Sequence, residues 1–105
     1  MPKQIAFRMN LFPGRAAEYR KRHDEIPPEL VAALKGAGVS ENSIWLDPEA
    51  NHLFGTLTLA DGGNMEGLPE TEVVQRWWAF MADIMATDAD NVPVQIPLKR
   101  VFFLP

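Results

Sequence analysis

The sequence predicts an α+β domain with the ferredoxin-like element order strand, helix, strand, strand, helix, strand. Three observations predict it. Near the start of the chain Ile5, Phe7, Met9 and Leu11 alternate with Gln4, Ala6, Arg8 and Asn10, the period of a half-buried strand. In the middle, two strand-like runs flank Asp47-Pro48-Glu49-Ala50-Asn51, which carries strong turn chemistry and so suggests a hairpin. After the hairpin, Val74, Trp77 or Trp78, Met81 and Ile84 or Met85 recur at helical spacing. This order places helices on one face of an antiparallel sheet. The 105 residues suit a single domain, 1–105, with one modest core.

Taken in order, the first strand ends at the turn Phe12-Pro13-Gly14, where Pro13 can pre-set a helix start. Residues 14–25 are rich in helix formers. Their inward stripe is Ala16, Tyr19, His23 and Ile26, and Arg15, Glu18, Lys21 and Arg22 should face water. Ile26-Pro27-Pro28 breaks the helix, because proline lacks an amide donor and disfavours helical geometry in the residue before it. A second short helix follows from Pro28 through Leu34, and Gly36 and Gly38 can stop it. Strands are expected at Asn42–Leu46 and His52–Leu59, and Asp61-Gly62-Gly63-Asn64 is a loop. The clearest helix runs from Glu70 to Met85. Thr87–Pro97 is a polar loop long enough to cover something. Leu98–Leu104 should close the sheet as a last strand. The helices cover one sheet face only, so the other face calls for a second copy of the chain.

Composition narrows the function. The formal net charge is −4, and the one basic cluster, Arg20-Lys21-Arg22, is offset by Asp24 and Glu25. That argues against a nucleic-acid partner. The chain has no cysteine, which excludes disulfides and thiolate metal sites. Its start lacks the apolar core of a secretory signal, and no apolar run has the length of a membrane span. The expectation is a cytoplasmic protein, off the membrane, acting on something small or on another protein.

Tyr19 and His23 are four residues apart, so on a helix they share one face. A phenol and a proton-transfer group then point toward whatever the helix covers, next to a helix break. A histidine there can be structural or catalytic. Trp77 and Trp78 are adjacent, about 100° apart around a helix, so one can pack in the core while the other lines a pocket or a subunit contact. His23 and His52 are too few for a metal site.

Five stretches carry a family resemblance at matching spacing: Glu18-Tyr19-Arg20-Lys21-Arg22-His23, Pro28-Glu29-Leu30, Ile44-Trp45-Leu46-Asp47, Arg76-Trp77-Trp78 and Asp90-Asn91-Val92-Pro93-Val94. With the ending Val101-Phe102-Phe103-Leu104-Pro105, the chain resembles the L-rhamnose mutarotases along its whole length. The resemblance implies a homodimeric α+β barrel that interconverts the α and β anomers of a 6-deoxy-hexose, L-rhamnose first and L-fucose or a related sugar second. It implies His23 as proton donor and Tyr19, Trp77 and Trp78 as sugar contacts. A further sugar-contact position, usually tyrosine in the family, falls on Asn42. The matching Asn91 stretch makes Asn91 the loop residue expected nearest the ligand, with turn capping as the equal alternative. The family often has tryptophan where this chain has Pro27, and serine where it has Val92.

The residues suit that reaction. Mutarotation opens and recloses a cyclic hemiacetal by moving protons, and it needs no cofactor. A histidine has an ordinary pKa of about 6.5, near neutrality. An indole covers the apolar C–H face of a sugar and still donates a hydrogen bond. Two other readings remain on such a fold. A small oxygenase or haem-handling protein would want an apolar cavity, whereas Tyr19, Asn42, Asn91 and Gln95 suit a polyol. A non-catalytic sugar-binding module would bind sugar without changing its anomer exchange.

Overall fold

A computed structural model describes residues 1–105. Strand β1 (Lys3–Asn10) is followed by helices α1 (Ala16–Asp24) and α2 (Pro28–Gly36), then by strands β2 (Val39–Asp47) and β3 (His52–Leu59). A 3-10 turn at Leu68–Glu70 leads into α3 (Glu72–Met81), and the short strand β4 (Ile96–Pro97) follows. The sheet order is β2-β3-β1-β4, and each neighbouring pair is antiparallel. The result is a small α+β fold with a four-stranded antiparallel sheet and three α-helices.

Register decides which side chains share a face. Ile44, Gly55 and Phe7 lie in register across β2, β3 and β1, and Leu46, Leu53 and Met9 form the row beside them. In-register residues point the same way, and successive residues along a strand point opposite ways. These rows face the helices. The core gathers there from Met9, Leu11, Tyr19, Leu53, Met81, Ile84 and Met85, with Phe7, Ile44 and Trp77 packed against it. The opposite face carries the row Trp45, Phe54, Arg8 and Ile96. Gly55 is required by its row, since a Cβ there would lie 2.5 Å from the Phe7 ring, which rests across the strand.

Local chemistry sets the element ends. Pro28 occupies the first turn of α2, where its missing amide costs nothing, and Gly38, at φ 96°, turns the chain into β2. Thr71 caps α3, its Oγ1 accepting from the Val74 amide at 3.4 Å.

Three expectations change. The last strand is confined to Ile96–Pro97, and Leu98–Leu104 forms no ladder beyond the Leu98 amide bonding to the Ala6 carbonyl. Pro97 has no amide to donate, which interrupts pairing on this edge. Helix α3 stops at Met81 rather than Met85, although the stripe Val74, Met81, Ile84 and Met85 is buried as its spacing requires. Strand β2 begins at Val39, three residues early, and accommodates the extra length with an irregularity between Ser40 and Ser43 where Glu41 takes φ 49°.

Candidate functional site

Two cavities meet at α1. The inner one, of about 490 Å³, lies between the sheet and the helices. Its lining includes Phe7 and Met9 from β1, Trp77 and Trp78 from α3, and Pro93, Gln95 and Pro97 from the loop after it. The outer one, of about 610 Å³, lies between α1 and β2 and is lined by Ala16, Arg20, Asp24 and Trp45 among others. Tyr19, His23, Ile26, Asn42 and Ile44 line both, so they form the shared wall. Both volumes fall in the range of small-ligand sites.

The helix geometry of α1 stacks the Tyr19 and His23 rings, with centroids 4.3 Å apart and planes 28° apart. His23 Nδ1 lies 2.9 Å from the Tyr19 carbonyl oxygen. A carbonyl can only accept, so Nδ1 carries the hydrogen and the lone pair of the neutral ring sits on Nε2. Trp77 meets the same imidazole edge-on, with centroids 5.2 Å apart and an interplanar angle of 88°. Burial against its neighbours lowers the His23 pKa below 6.5, against the opposing pull of the Tyr19 carbonyl and the Asp24 charge. At neutral pH the ring is therefore uncharged, with Nε2 free to take a proton. Burial also pushes the Tyr19 phenol well above its ordinary value, so it stays protonated.

The other expected residues fall as follows. Asn42 stands at the β2 irregularity, solvent-exposed, and lines both cavities. Trp77 and Trp78 both line the inner cavity, and Trp77 also packs on the core. Asn91 lines neither cavity. It takes φ 65° in a turn whose Asp88 Oδ1 accepts from the amides of Asp90 and Val92, so its local role is to hold that turn. The loop still covers the inner cavity, through Pro93, Gln95 and Pro97. No group of three or more His, Asp or Glu side chains is arranged to hold a metal. No helix is long and apolar enough to cross a membrane.

The sequence reading missed two contributors. Phe7 forms part of the inner cavity only because Gly55 leaves room for it, and a glycine inside a strand run is the signal that marks such a close approach. Arg22, expected to face water, has a side chain only 12% exposed.

A family model described as L-rhamnose mutarotase matches residues 4–104. The chain belongs to the L-rhamnose mutarotase family. It is 57% identical over 104 residues to an L-rhamnose mutarotase of Mesorhizobium japonicum, covering 99% of each chain. It is 58% identical over 102 residues to one of Sinorhizobium medicae, covering 97% of this chain and 98% of that one. Among solved structures, the crystal structure of an L-rhamnose mutarotase from Formosa agariphila aligns with a TM-score of 0.91 at 45% identity, covering 98% of this chain and 99% of that one. The shared wall is thus set in a fold that this chain has in common with that L-rhamnose mutarotase.

Proposed function

We propose that this protein is an isomerase that interconverts the α and β anomers of a 6-deoxy-hexopyranose, L-rhamnose first, at the wall shared by the two cavities. The observation that carries the reading is the His23 imidazole. It is tied at Nδ1 to the Tyr19 carbonyl, held neutral by burial, and open at Nε2. Membership of the mutarotase family supplies the substrate class.

In ring opening, Nε2 of His23 takes the proton from the anomeric hydroxyl as the bond between C1 and the ring oxygen breaks. The ring oxygen takes a proton from a second donor. A water held at this wall, the Tyr19 hydroxyl, which burial keeps protonated, or a carboxyl such as Asp24 fills that role. Rotation about C1–C2 turns the other face of the aldehyde to the ring oxygen. On closure the imidazolium returns its proton to the former carbonyl oxygen, and the donor recovers its own. Nothing is consumed, so His23 serves as base in opening and acid in closing. Trp77 and Trp78 cover the apolar face of the sugar, and Asn42 and Gln95 offer amides to its hydroxyls.

The catalytic unit in this reading is the single domain 1–105, a ferredoxin-like fold paired as a homodimeric α+β barrel. Support comes from the strand order and from the face opposite the helices, where Trp45 is 67% exposed beside Phe54. Arg8 on the same face has a buried Nε without a hydrogen-bond partner. The apolar tail adds Phe102, 75% exposed.

Saturation transfer between the anomeric protons of L-rhamnose, with L-fucose alongside, tests the function. Accelerated exchange with preference for L-rhamnose is expected. Binding without acceleration would leave a sugar-binding module instead.

A further inference from the structure

Arg22 is next to His23 in the chain, about 100° further around α1, and it is tied to the far end of α3. Its guanidinium donates to the Phe80 carbonyl at 2.6 Å and to both oxygens of Asp83, at 2.8 and 3.2 Å. Phe80 is in the last turn of α3, where carbonyls have no helical partner, and a cation there also complements the helix dipole. The same guanidinium lies 4.4 Å over the Phe80 ring, and Glu18 holds its Nε at 3.4 Å. Phe80 in turn sits 5.9 Å from Trp77, and Trp77 sits 5.2 Å from His23. The contacts close a circuit: His23 to Trp77, Trp77 to Phe80, Phe80 to Arg22, and Arg22 back to His23 through one peptide bond.

We infer that Arg22 is a positioning residue, which clamps α1 to the end of α3 and so sets the gap between the His23 imidazole and the Trp77 indole. The geometry favours this over an ordinary surface ion pair. A forked, two-oxygen contact stacked on a ring fixes direction as well as distance, which a lysine cannot do. Phe80 stays 53% exposed, so its packing is spent on Arg22 and Trp77 rather than on the core. Small displacements at a reacting group can cost large factors in rate. The inference rests on the reading of His23 as the proton-transfer group.

The test compares Arg22→Met, Arg22→Lys and Asp83→Ala with the parent protein. Two readouts are taken: anomer exchange of L-rhamnose, resolved into kcat and KM, and the His23 imidazole titration followed by NMR without sugar. Arg22→Met is expected to lower kcat by about tenfold or more. It should also move the His23 pKa up toward 6.5, because a loosened Trp77 admits water. Arg22→Lys should recover only part of both effects. Asp83→Ala should fall between, since the Phe80 carbonyl and ring still hold the guanidinium. If any of these variants, folded, kept the parent kcat and the parent His23 titration, the clamp would be refuted. The titration separates this from the catalytic reading: a shifted His23 pKa with no catalysis in the parent protein would retain the clamp and remove the mechanism.

Discussion

The His23 imidazole meets the Trp77 indole edge-on, with centroids 5.2 Å apart and planes at 88°. Trp77 and the stacked Tyr19 together shield the ring from water. On the proposed mechanism Trp77 then bears on proton transfer as well as on packing. Trp77→Ala should raise the His23 pKa toward 6.5 and weaken sugar binding. Trp78→Ala should weaken sugar binding with little effect on that titration. An NMR titration of both variants reads the difference.

The pH dependence follows from the direction of the shift. With the His23 pKa below 6.5, the neutral base predominates at neutral pH. Exchange should be flat near and above pH 7 and should fall as pH drops through the lowered pKa. Stability moves with it. The unfolded chain binds the proton more readily, so stability is lost as pH falls below 6.5 toward the folded pKa. Rate and melting temperature measured from pH 4.5 to 8 check both signs.

Gly55→Ala tests the sheet-side wall. Its Cβ would stand 2.5 Å from the Phe7 ring, so the ring must move into the inner cavity. Loss of about 1–3 kcal/mol in stability and a raised KM are expected, measured by denaturation and exchange kinetics. Phe7→Leu in the same background should restore part of the stability, because it removes the ring that clashes.

A homodimer predicts that charge on the uncovered face, or on the exposed apolar tail, is harmful. Trp45→Asp or Phe102→Asp should shift sedimentation from dimer to monomer at micromolar concentration. A parent protein that sediments as a monomer would remove the barrel pairing.

Much of this was legible in the sequence, and the reasons for the rest are physical. The alternation in β1, the hairpin at Asp47–Asn51 and the stripe on α3 are periodic, and they reappear as rows and a buried face. The Tyr19-to-His23 spacing placed the two rings together because helix geometry alone does so. Arg22 was not legible. Its burial depends on Phe80 and Asp83, 58 and 61 residues away, and no local pattern encodes that contact. The last strand was overread because apolar β-branched and aromatic residues after Pro97 look like a strand, while the missing proline amide interrupts the ladder. The motif leaves Asn91 equally a ligand residue or a turn residue, and its left-handed backbone, φ 65°, fits the turn.

Tyr19→Phe separates the hydroxyl from the ring. The stacked ring stays and the donor goes, so the His23 titration should hold while exchange slows, by less than His23 replacement causes. An unchanged rate would remove Tyr19 as the second proton donor and leave water or Asp24.

The central claim is that His23 moves the proton, and its most direct test is anomer exchange by His23→Ala alongside the melting temperature. The account predicts nearly unchanged melting and a loss of about a hundredfold or more in exchange rate, roughly 3 kcal/mol of barrier. A folded His23→Ala protein exchanging L-rhamnose anomers at the parent rate would contradict it.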